Sequence, residues 1–189
     1  FLSRPRRFGK SLLVDTIKEA FEGNRDLFRG LWLEENWDWN AIHPVIHVSF
    51  GSGVFHSRVE LEQRIKSILN TNQQALGLEC KNSHNIIECF EELIRNAAQK
   101  YKRSAVILVD EYDKPILDNI THQERSIELR EGLKNFYSVI KDNDAHLKFV
   151  FLTGVSKFSK VSLFSGLNNL TDITLESNFA TICGWTESE

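Results

Sequence analysis

The stretch that decides the fold of this chain is Phe1-Leu2-Ser3-Arg4-Pro5-Arg6-Arg7-Phe8-Gly9-Lys10-Ser11. Its last three residues have the pattern of the second half of a Walker A phosphate-binding loop. In such a loop the glycine lets backbone amides approach a phosphate, the lysine reaches the β- and γ-phosphates, and the hydroxyl ligates Mg²⁺. The full pattern has a glycine where this chain has Arg4, so the tripeptide alone is a weak signal, and a solvated loop is the alternative.

The segment after this loop is predicted to be a helix from Ser11 to Phe21, because its apolar residues share one face at helical spacing. The N-terminal amides and the dipole of that helix would point at a bound phosphate. We expect the Lys10 side chain to be exposed and the loop from Ser3 to Phe8 to be poorly held. The candidate nucleotide-binding residues are Arg7, Phe8, Gly9, Lys10, Ser11 and Leu12.

The composition is that of an ordinary globular domain. The 189 residues are 41% hydrophobic and 26% charged, and the formal net charge is -3. This charge does not favour nucleic acid or an anionic membrane as a partner, and no apolar run approaches the roughly 20 residues of a membrane helix. The three cysteines, Cys80, Cys89 and Cys183, form no CxxC pair and are interpreted as reduced thiols of a cytoplasmic protein.

The two ends of the chain predict a fragment of one domain. A phosphate loop normally follows a buried strand, yet only Phe1 and Leu2 precede the start of this one, and methionine is absent. We therefore expect residues 1–189 to form a single P-loop domain that is truncated at both ends, inside or just after its first strand and after Glu189.

Apolar patterns along the rest of the chain predict strands that alternate with helices. The expected strands are Pro44–Phe50, Ala105–Val109, Leu147–Leu152 and a short Ile173–Leu175. The expected helices are Ser57–Gln73, Ser83–Tyr101 and Glu124–Lys141. This alternation predicts an α/β fold with three layers and a mainly parallel sheet, the P-loop NTPase fold with its first strand truncated. The run Ala105–Val109, apolar on both faces, would be a central strand.

The connection from Asn24 to Asn40 contains Trp32, Trp37 and Trp39 among acidic residues. We interpret it as an irregular, partly packed connection. Stacking of one of these tryptophans on adenine is the alternative.

A second motif, Val106-Ile107-Leu108-Val109-Asp110-Glu111, has the form of a Walker B strand. It delivers two carboxylates at its carboxyl end, which is where ligands bind in open α/β sheets. Asp110 would hold the Mg²⁺ shell, and Glu111 would orient or deprotonate the attacking water. An acidic turn after a core strand is the alternative, but two half-motifs in this order support each other.

A third strand ends in Thr153-Gly154. In P-loop ATPases of the additional-strand kind, such a strand lies between the Walker A and Walker B strands, and its terminal polar residue contacts the γ-phosphate or the water. Thr153 is the candidate for that residue. Ser156, Lys157 and Lys160 would sense the nucleotide, with a solvated loop as the alternative.

Four stretches of this chain together resemble the AAA-ATPase-like proteins of bacteria. They are Ser3-Arg4-Pro5-Arg6-Arg7-Phe8-Gly9-Lys10-Ser11, Leu108-Val109-Asp110-Glu111-Tyr112-Asp113-Lys114-Pro115-Ile116, Phe151-Leu152-Thr153-Gly154-Val155-Ser156-Lys157-Phe158-Ser159 and Phe164-Ser165-Gly166-Leu167-Asn168-Asn169-Leu170. The RPRRFGK form of the loop is usual in that family, so the resemblance implies that Arg4 is compatible with nucleotide binding. It also implies a first strand upstream and, in many members, a C-terminal domain similar to PD-(D/E)XK nucleases.

The basic residues of the predicted phosphate loop and two arginines of a later helix have two interpretations each. The basic cluster formed by Arg4, Arg6, Arg7 and Lys10 would neutralise triphosphate charge, and a nucleic-acid patch is the alternative. Arg125 and Arg130 would act in trans as arginine fingers, but a solvated helix face is the preferred interpretation for each.

These observations predict a P-loop ATPase that binds Mg-ATP and hydrolyses it to drive a conformational change. The first alternative is a nucleotide-responsive scaffold with little turnover. The second is the ATPase part of a nucleic-acid-processing protein whose nuclease-like domain lies outside this chain. A homo-oligomer and the C-terminal nuclease-like domain are the candidate partners besides ATP, and no membrane partner is expected.

Overall fold

The computed structural model describes residues 1–156, 163 and 170–184, and its centre is an all-parallel sheet of four strands. The strands are β1 (Leu2–Ser3), β2 (Val45–Ser49), β3 (Ala105–Asp110) and β4 (Leu147–Gly154). Their order across the sheet is β1-β4-β3-β2, so β4 lies between the strand before the predicted phosphate loop and the strand that ends in the paired carboxylates. The parallel sheet and the place of the strand that ends at Thr153 are both as predicted.

The helices of the described residues are α1 (Lys10–Phe21), α2 (Trp32–Asn36), α3 (Arg58–Leu76), α4 (Ile86–Tyr101), α5 (Lys114–Leu117) and α6 (Gln123–Asp142). Local signals explain several of their ends. α3 begins after Ser57, whose hydroxyl accepts a hydrogen bond from the first turn, and ends before Gly77, which has a left-handed φ of 61°. α4 begins later than predicted because Asn85, and not Ser83, accepts the hydrogen bonds of its first amides.

The sheet carries helices on both faces, as the predicted three-layer fold requires. On one face α1 packs over an apolar cluster made of Leu2, Val14, Phe21, Val45, Val106, Leu108 and Phe151. On the other face α3, α4 and α6 pack over a larger cluster that includes Ile46, Val48, Ile107 and Val109. Every residue of β3 is buried, which is typical of a central strand covered on both sides.

The strand β4 departs from the predicted buried strand in its first half. Lys148 and Phe149 are exposed, whereas residues 151–154 are buried. The reason is that β1 pairs only with Thr153 and Gly154, so the preceding edge of β4 has no neighbouring strand among the described residues.

The edge strand β2 is completed by a side chain. The side chain of Asn72, on α3, binds the backbone of His47 twice. Its Oδ1 accepts a hydrogen bond from the N–H of His47 at 2.8 Å, and its Nδ2 donates to the carbonyl of His47 at 2.8 Å. Asn72 therefore takes the place of a further strand at this point of the edge and fixes α3 along it.

The segment 171–184 runs along the outer edge of β1 but does not form the predicted strand at Ile173–Leu175. The nitrogen of Phe1 donates to the carbonyl of Thr171 at 2.8 Å, and the amide of Ile173 donates to the carbonyl of Phe1 at 3.0 Å. The chain then turns, because the amide of Thr174 donates to the side chain of Asp172 at 3.0 Å, a local bond that competes with strand pairing.

The connection from Asn24 to Asn40 is irregular and partly packed, as predicted. The indoles of Trp37 and Trp39 donate to main-chain carbonyls at 3.0 and 2.9 Å, whereas Trp32 is largely exposed. The connection follows the C-terminal end of α1, whose 12 residues span about 18 Å from Lys10 at the helical rise. That separation does not support a role for these tryptophans in adenine stacking.

Cys80 and Cys89 form a disulfide with an S–S distance of 2.32 Å, so the prediction of reduced thiols is wrong for this pair. The chain turns back before α4 and brings the two Cα atoms to 5.3 Å, a closeness that the spacing of nine residues does not reveal. Cys183 is a free, half-buried cysteine.

Candidate nucleotide-binding site

The predicted phosphate loop, residues 4–9 between β1 and α1, contains two left-handed residues of the kind from which anion-binding nests are built, and we call it the nest. Arg7 has a φ of 65° and Gly9 a φ of 78°, both in the left-handed region. Left-handed residues that alternate with ordinary ones turn successive amides toward one concave side. α1 begins directly after Gly9 without a side-chain cap, so its first amides have no partner within the helix. Ser11 and Leu12, in this first turn, are exposed.

The side chain of Lys10 is buried, and the prediction that it is exposed is wrong. Only 6% of its surface is accessible, and its Nζ donates a hydrogen bond to the carbonyl of Pro5 at 2.9 Å. The ammonium group thus folds back across its own loop. To reach a phosphate, Lys10 has to exchange this internal hydrogen bond for one to the ligand.

Arg4 anchors the start of the loop, contrary to the prediction that the loop from Ser3 is poorly held. Its half-buried guanidinium donates to the carbonyls of Thr174 and Phe179, and its amide donates to the carbonyl of Gly154. Of the predicted basic cluster, Arg4 is therefore engaged by main-chain carbonyls, and its neighbours Arg6 and Arg7 are exposed.

The segment 171–184 also reaches the far end of the loop. A Cβ atom built on Gly184 would stand 3.0 Å from the ring of Phe8. A Cβ atom built on Gly9 would stand 3.8 Å from the nitrogen of Gly184 and 4.0 Å from the Cβ of Cys183. Residues at the end of this segment therefore pack directly on the predicted phosphate loop.

Three polar residues stand in register at the carboxyl ends of the strands. Ser49 pairs with Asp110, and Asp110 pairs with Thr153. Residues paired in register project to the same face of a sheet. Val45 and Val106 lie four residues before Ser49 and Asp110, so their side chains project to the same face of the sheet. Both pack with residues of α1, which shows that α1 covers this face. The structure therefore brings Asp110 and Thr153 together on the side of the sheet where α1 begins.

Asp110 and Thr153 each carry a buried polar atom that has no hydrogen-bond partner among the described residues. Asp110 is 6% exposed and Thr153 is 0% exposed, and the atoms concerned are Oδ1 and Oγ1. Buried polar groups are nearly always satisfied, so unmet atoms indicate a ligand, an ion or water. A carboxylate beside a hydroxyl suits Mg²⁺, which binds oxygen atoms. The described residues contain no cluster of three or more His, Cys, Asp or Glu side chains that would hold a metal alone.

Glu111 leaves the end of β3 in a different direction from Asp110, as predicted for adjacent positions. It has a left-handed φ of 53° and is half-buried. Its Oε2 lies 3.6 Å from the place that a Cβ of Gly51 would occupy, so the side chain leans toward the loop after β2. Glu111 and Thr153 thus lie on opposite sides of Asp110.

The residues that follow Glu111 and Thr153 bind each other. The Oδ2 atom of Asp113 accepts hydrogen bonds from the amide of Val155 at 3.0 Å, the amide of Ser156 at 2.6 Å and the hydroxyl of Ser156 at 2.7 Å. The hydroxyl of Ser156, a predicted nucleotide sensor, therefore binds Asp113 in this structure. Sequence reasoning missed this contact, because only the pairing of β3 with β4 brings the two turns together. Lys157 and Lys160 lie outside the described residues.

Arg125 and Arg130 are half-buried on α6, so the preferred interpretation of a solvated helix face is wrong for them. Arg125 donates to the side chain of Asn119 at 3.3 Å and lies 3.4 Å from Nδ1 of His56. Asn119 in turn donates to the carbonyl of Phe55 at 2.7 Å. Arg125 therefore belongs to a network that holds the loop after β2.

His47 lies on β2 beside the predicted metal-binding side of the sheet. Burial lowers the pKa of His47, and the nearby negative charge of Asp110 opposes this effect. A neutral imidazole is therefore favoured at this position.

The parallel sheet with its additional strand, the nest before α1 and the carboxylates at the end of β3 define a three-layer α/β protein of the P-loop type. The chain belongs to the AAA-ATPase-like family, described as predicted AAA-ATPase, whose model matches residues 1–164. The resemblance noted from the sequence is thereby confirmed, and the family description supports nucleotide binding.

A protein of Azotobacter chroococcum mcd 1, described as an uncharacterized protein in the vnfD 5′ region, is 56% identical to this chain over 189 residues. The alignment covers 100% of this chain and 36% of that relative. No solved structure matches the chain significantly. Within the part of the chain that the structure describes, no helix combines the length and the apolar character needed to cross a membrane.

Proposed function

We propose that this domain binds ATP together with Mg²⁺ and hydrolyses it to drive a conformational change. The observation that carries the proposal is the pair of buried, unpartnered atoms, Oδ1 of Asp110 and Oγ1 of Thr153, at the strand ends beside the predicted phosphate loop. Burial of such groups without a partner costs free energy, and a ligand that supplies the missing contacts recovers it.

The phosphates would bind at the start of α1. The backbone amides of residues 7–12 provide donors, and the positive end of the helix dipole favours the negative charge. Lys10 would release the carbonyl of Pro5 and donate to the β- and γ-phosphate oxygens instead. Arg6 and Arg7, both exposed, would add positive charge beside the triphosphate.

Ser11 and Asp110 are the proposed Mg²⁺ site. When bound, Mg²⁺ neutralises charge on the β- and γ-phosphate oxygens. Asp110 suits the site because its buried carboxylate has an unmet oxygen on the α1 side of the sheet. Ser11 suits it because its exposed hydroxyl lies in the first turn of α1.

Glu111 and Thr153 are the proposed catalytic residues. Glu111 would take a proton from the attacking water, while Thr153 would hold that water from the neighbouring strand. The water oxygen then bonds to the γ-phosphorus as the bond to the bridging oxygen breaks, which yields ADP and phosphate. Positioning and charge stabilisation supply most of the catalysis in this chemistry, so the fixed places of both side chains matter more than covalent reactivity.

Two other functions have support from particular observations. The internal hydrogen bond between Lys10 and Pro5 favours a nucleotide-responsive scaffold with little turnover, because the lysine is satisfied without a ligand. The relative from Azotobacter is longer than this chain, which leaves room for a further domain in that protein, and the family resemblance implies that such a domain would be nuclease-like. A homo-oligomer would supply an arginine in trans.

The test is ATP binding by calorimetry and phosphate release by the full-length protein, each with and without Mg²⁺. We expect Mg²⁺-dependent binding and steady phosphate release. Binding without release would favour the scaffold, and no binding would refute the nucleotide site. Salt-dependent binding of DNA by the same protein would support the nucleic-acid-processing alternative.

A further inference from the structure

The turn after β3 and the turn after β4 are joined by a partly buried hydrogen-bond network. The backbone N–H of Tyr112 donates to the carbonyl of Thr153 at 3.1 Å, and the hydroxyl of Tyr112 donates to the carbonyl of Ser156 at 2.8 Å. Asp113 adds the three bonds from Val155 and Ser156 described above. The residues next to Glu111 therefore hold the residues next to Thr153.

Asp113 is the centre of this network. Its side chain is fully buried, and one of its oxygens accepts all three donors. The other oxygen, Oδ1, is buried without a hydrogen-bond partner among the described residues, and on the β4 side it lies against the backbone of Gly154. A Cβ atom on Gly154 would stand 2.5 Å from Oδ1 of Asp113 and 2.5 Å from the ring of Tyr112. Only glycine fits at position 154, so the two turns approach as closely as backbone allows.

The same network restrains Glu111. Glu111 has a left-handed φ of 53°, which L-residues with a long side chain rarely adopt. On one side of it, the carbonyl of Asp110 accepts from the amide of Phe50 at 3.2 Å, and on the other side Tyr112 is bound to Thr153. The direction of the Glu111 side chain thus depends on the hydrogen bonds of both neighbouring residues. Asp113 stabilises the bond between Tyr112 and Thr153.

We propose that Asp113 is a positioning residue for hydrolysis, which sets Glu111 and Thr153 at a fixed separation across the end of β3. The inference rests on the proposed ATPase function and deepens it. Asp113 itself does not touch the reacting atoms in this scheme, because its Oδ2 is occupied by Val155 and Ser156 and its buried Oδ1 lies against Gly154. Its loss would therefore misplace the two residues that handle the water. Among the described residues, hydrogen bonds join this turn to the phosphate loop only at the start of the loop, from the amide of Arg4 to the carbonyl of Gly154 and from the hydroxyl of Ser3 to the carbonyl of Val155, and not at the amides of residues 7–12.

The decisive variant is Asp113→Asn, which keeps the size of the side chain but replaces a carboxylate acceptor by an amide. The matched control is Asp118→Asn, because Asp118 directly follows α5 and pairs with Lys114 at 2.5 Å, and within the described part of the chain Val155 and Ser156 donate to Asp113 and not to Asp118. Each full-length variant is assayed for kcat and for the Kd of ATP, at a temperature well below its melting midpoint.

We expect Asp113→Asn to lower kcat by at least about tenfold, since misplacement by about 1 Å costs on the order of 100-fold in rate. The Kd of ATP should stay within about threefold of the wild type, because the loop amides and Lys10 are untouched. Asp118→Asn should leave both values unchanged. A merely structural role would move Kd, kcat and the melting midpoint together.

Ser156→Ala provides the second variant in case Asp113→Asn does not fold. It removes one of the three donors to Asp113 and should lower kcat by about threefold with an unchanged Kd, the smaller effect expected for one hydrogen bond of a network. Wild-type kcat in both Asp113→Asn and Ser156→Ala, or equal losses in Asp113→Asn and Asp118→Asn, would overturn the positioning role while the ATPase function stands. A wild-type protein that releases no phosphate would remove the proposed function and this inference with it.

Discussion

At the scale of single residues, Glu111 offers the sharpest test of the proposed chemistry. Glu111→Gln keeps size and hydrogen bonding but removes the negative charge and the basicity. General-base contributions reach about 100-fold or more, so we expect ATP hydrolysis at least about tenfold slower than in the wild type. The affinity for ATP should stay near normal. The measurement is phosphate release in parallel with calorimetric titration of ATP.

The control for this variant is Glu131→Gln, an exposed carboxylate on α6 whose loss should change neither value. The wild-type rate must first be shown to depend on Mg²⁺. If Glu111→Gln then hydrolyses ATP as fast as the wild type, the base lies elsewhere. Asp113 would be a poor replacement, since it is fully buried and its Oδ2 already accepts from donors of the turn after β4.

Because Lys10 is buried, its replacement should affect both ATP binding and the stability of the domain. Lys10→Ala should weaken ATP binding by at least about tenfold, because charge-assisted hydrogen bonds to phosphate are lost. It should also lower the free energy of unfolding by about 1 kcal/mol, since the carbonyl of Pro5 loses a donor. Calorimetry measures the first effect and urea unfolding the second. An unchanged Kd would contradict the assignment of the loop.

The sequence predicted which residues of the candidate site lie on adjacent strands, but it did not predict the hydrogen bonds that their side chains make. The strand order of P-loop ATPases of the additional-strand kind predicts that Thr153 lies on the strand next to Asp110, and the register confirms it. The burial of Lys10 and the binding of Ser156 by Asp113 depend on how two loops fold over each other. Hydrophobic periodicity carries no information about such loop contacts.

At the scale of the elements, the edge of β2 depends on one side chain of α3. Asn72→Ala removes both hydrogen bonds to His47 and leaves its backbone N–H and carbonyl unmet. We expect the free energy of unfolding to fall by about 2 kcal/mol, the cost of leaving largely buried backbone groups unpaired. Urea unfolding gives this as a lower midpoint at an unchanged slope.

The control for this change is Gln74→Ala, an exposed position on the same helix that should shift stability by less than about 0.5 kcal/mol. Equal stabilities of the Asn72 and Gln74 variants would show that water replaces the lost amide at the strand edge. The sequence gives no sign of this role, because an asparagine that binds a strand looks like any polar residue on a helix.

Local sequence patterns predicted some of the strands and helices correctly and others only in part. The central strand Ala105–Asp110 was recognisable from its continuous apolar run, and α3 from its apolar periodicity. Three details depended on tertiary neighbours: the exposed first half of β4, the turn that replaces a strand at Ile173–Leu175, and the disulfide between Cys80 and Cys89. Each is set by what lies next to the segment in space, which short-range patterns do not record.

At the scale of the whole molecule, Arg4 ties the predicted phosphate loop to the segment 171–184. Arg4→Ala removes the guanidinium that binds the carbonyls of Thr174 and Phe179. We expect faster hydrogen exchange at amides 173–182, with the amides of β3 unchanged, because local opening follows the loss of local contacts. Exposed Arg6→Ala is the matched control. Equal exchange in both variants would show that the segment is held by its other contacts.

The pairing of Leu2 with Thr153 has a consequence for the order of assembly. β1 finds its neighbour only after more than a hundred intervening residues have been made, a separation that slows the closing of such contacts. At a synthesis rate of about 5–20 residues per second, roughly 8–30 seconds pass between the synthesis of β1 and that of β4. The strand β1, which precedes the nest, therefore pairs late in synthesis. Chaperones that bind extended chains can bind it before the nucleotide site forms.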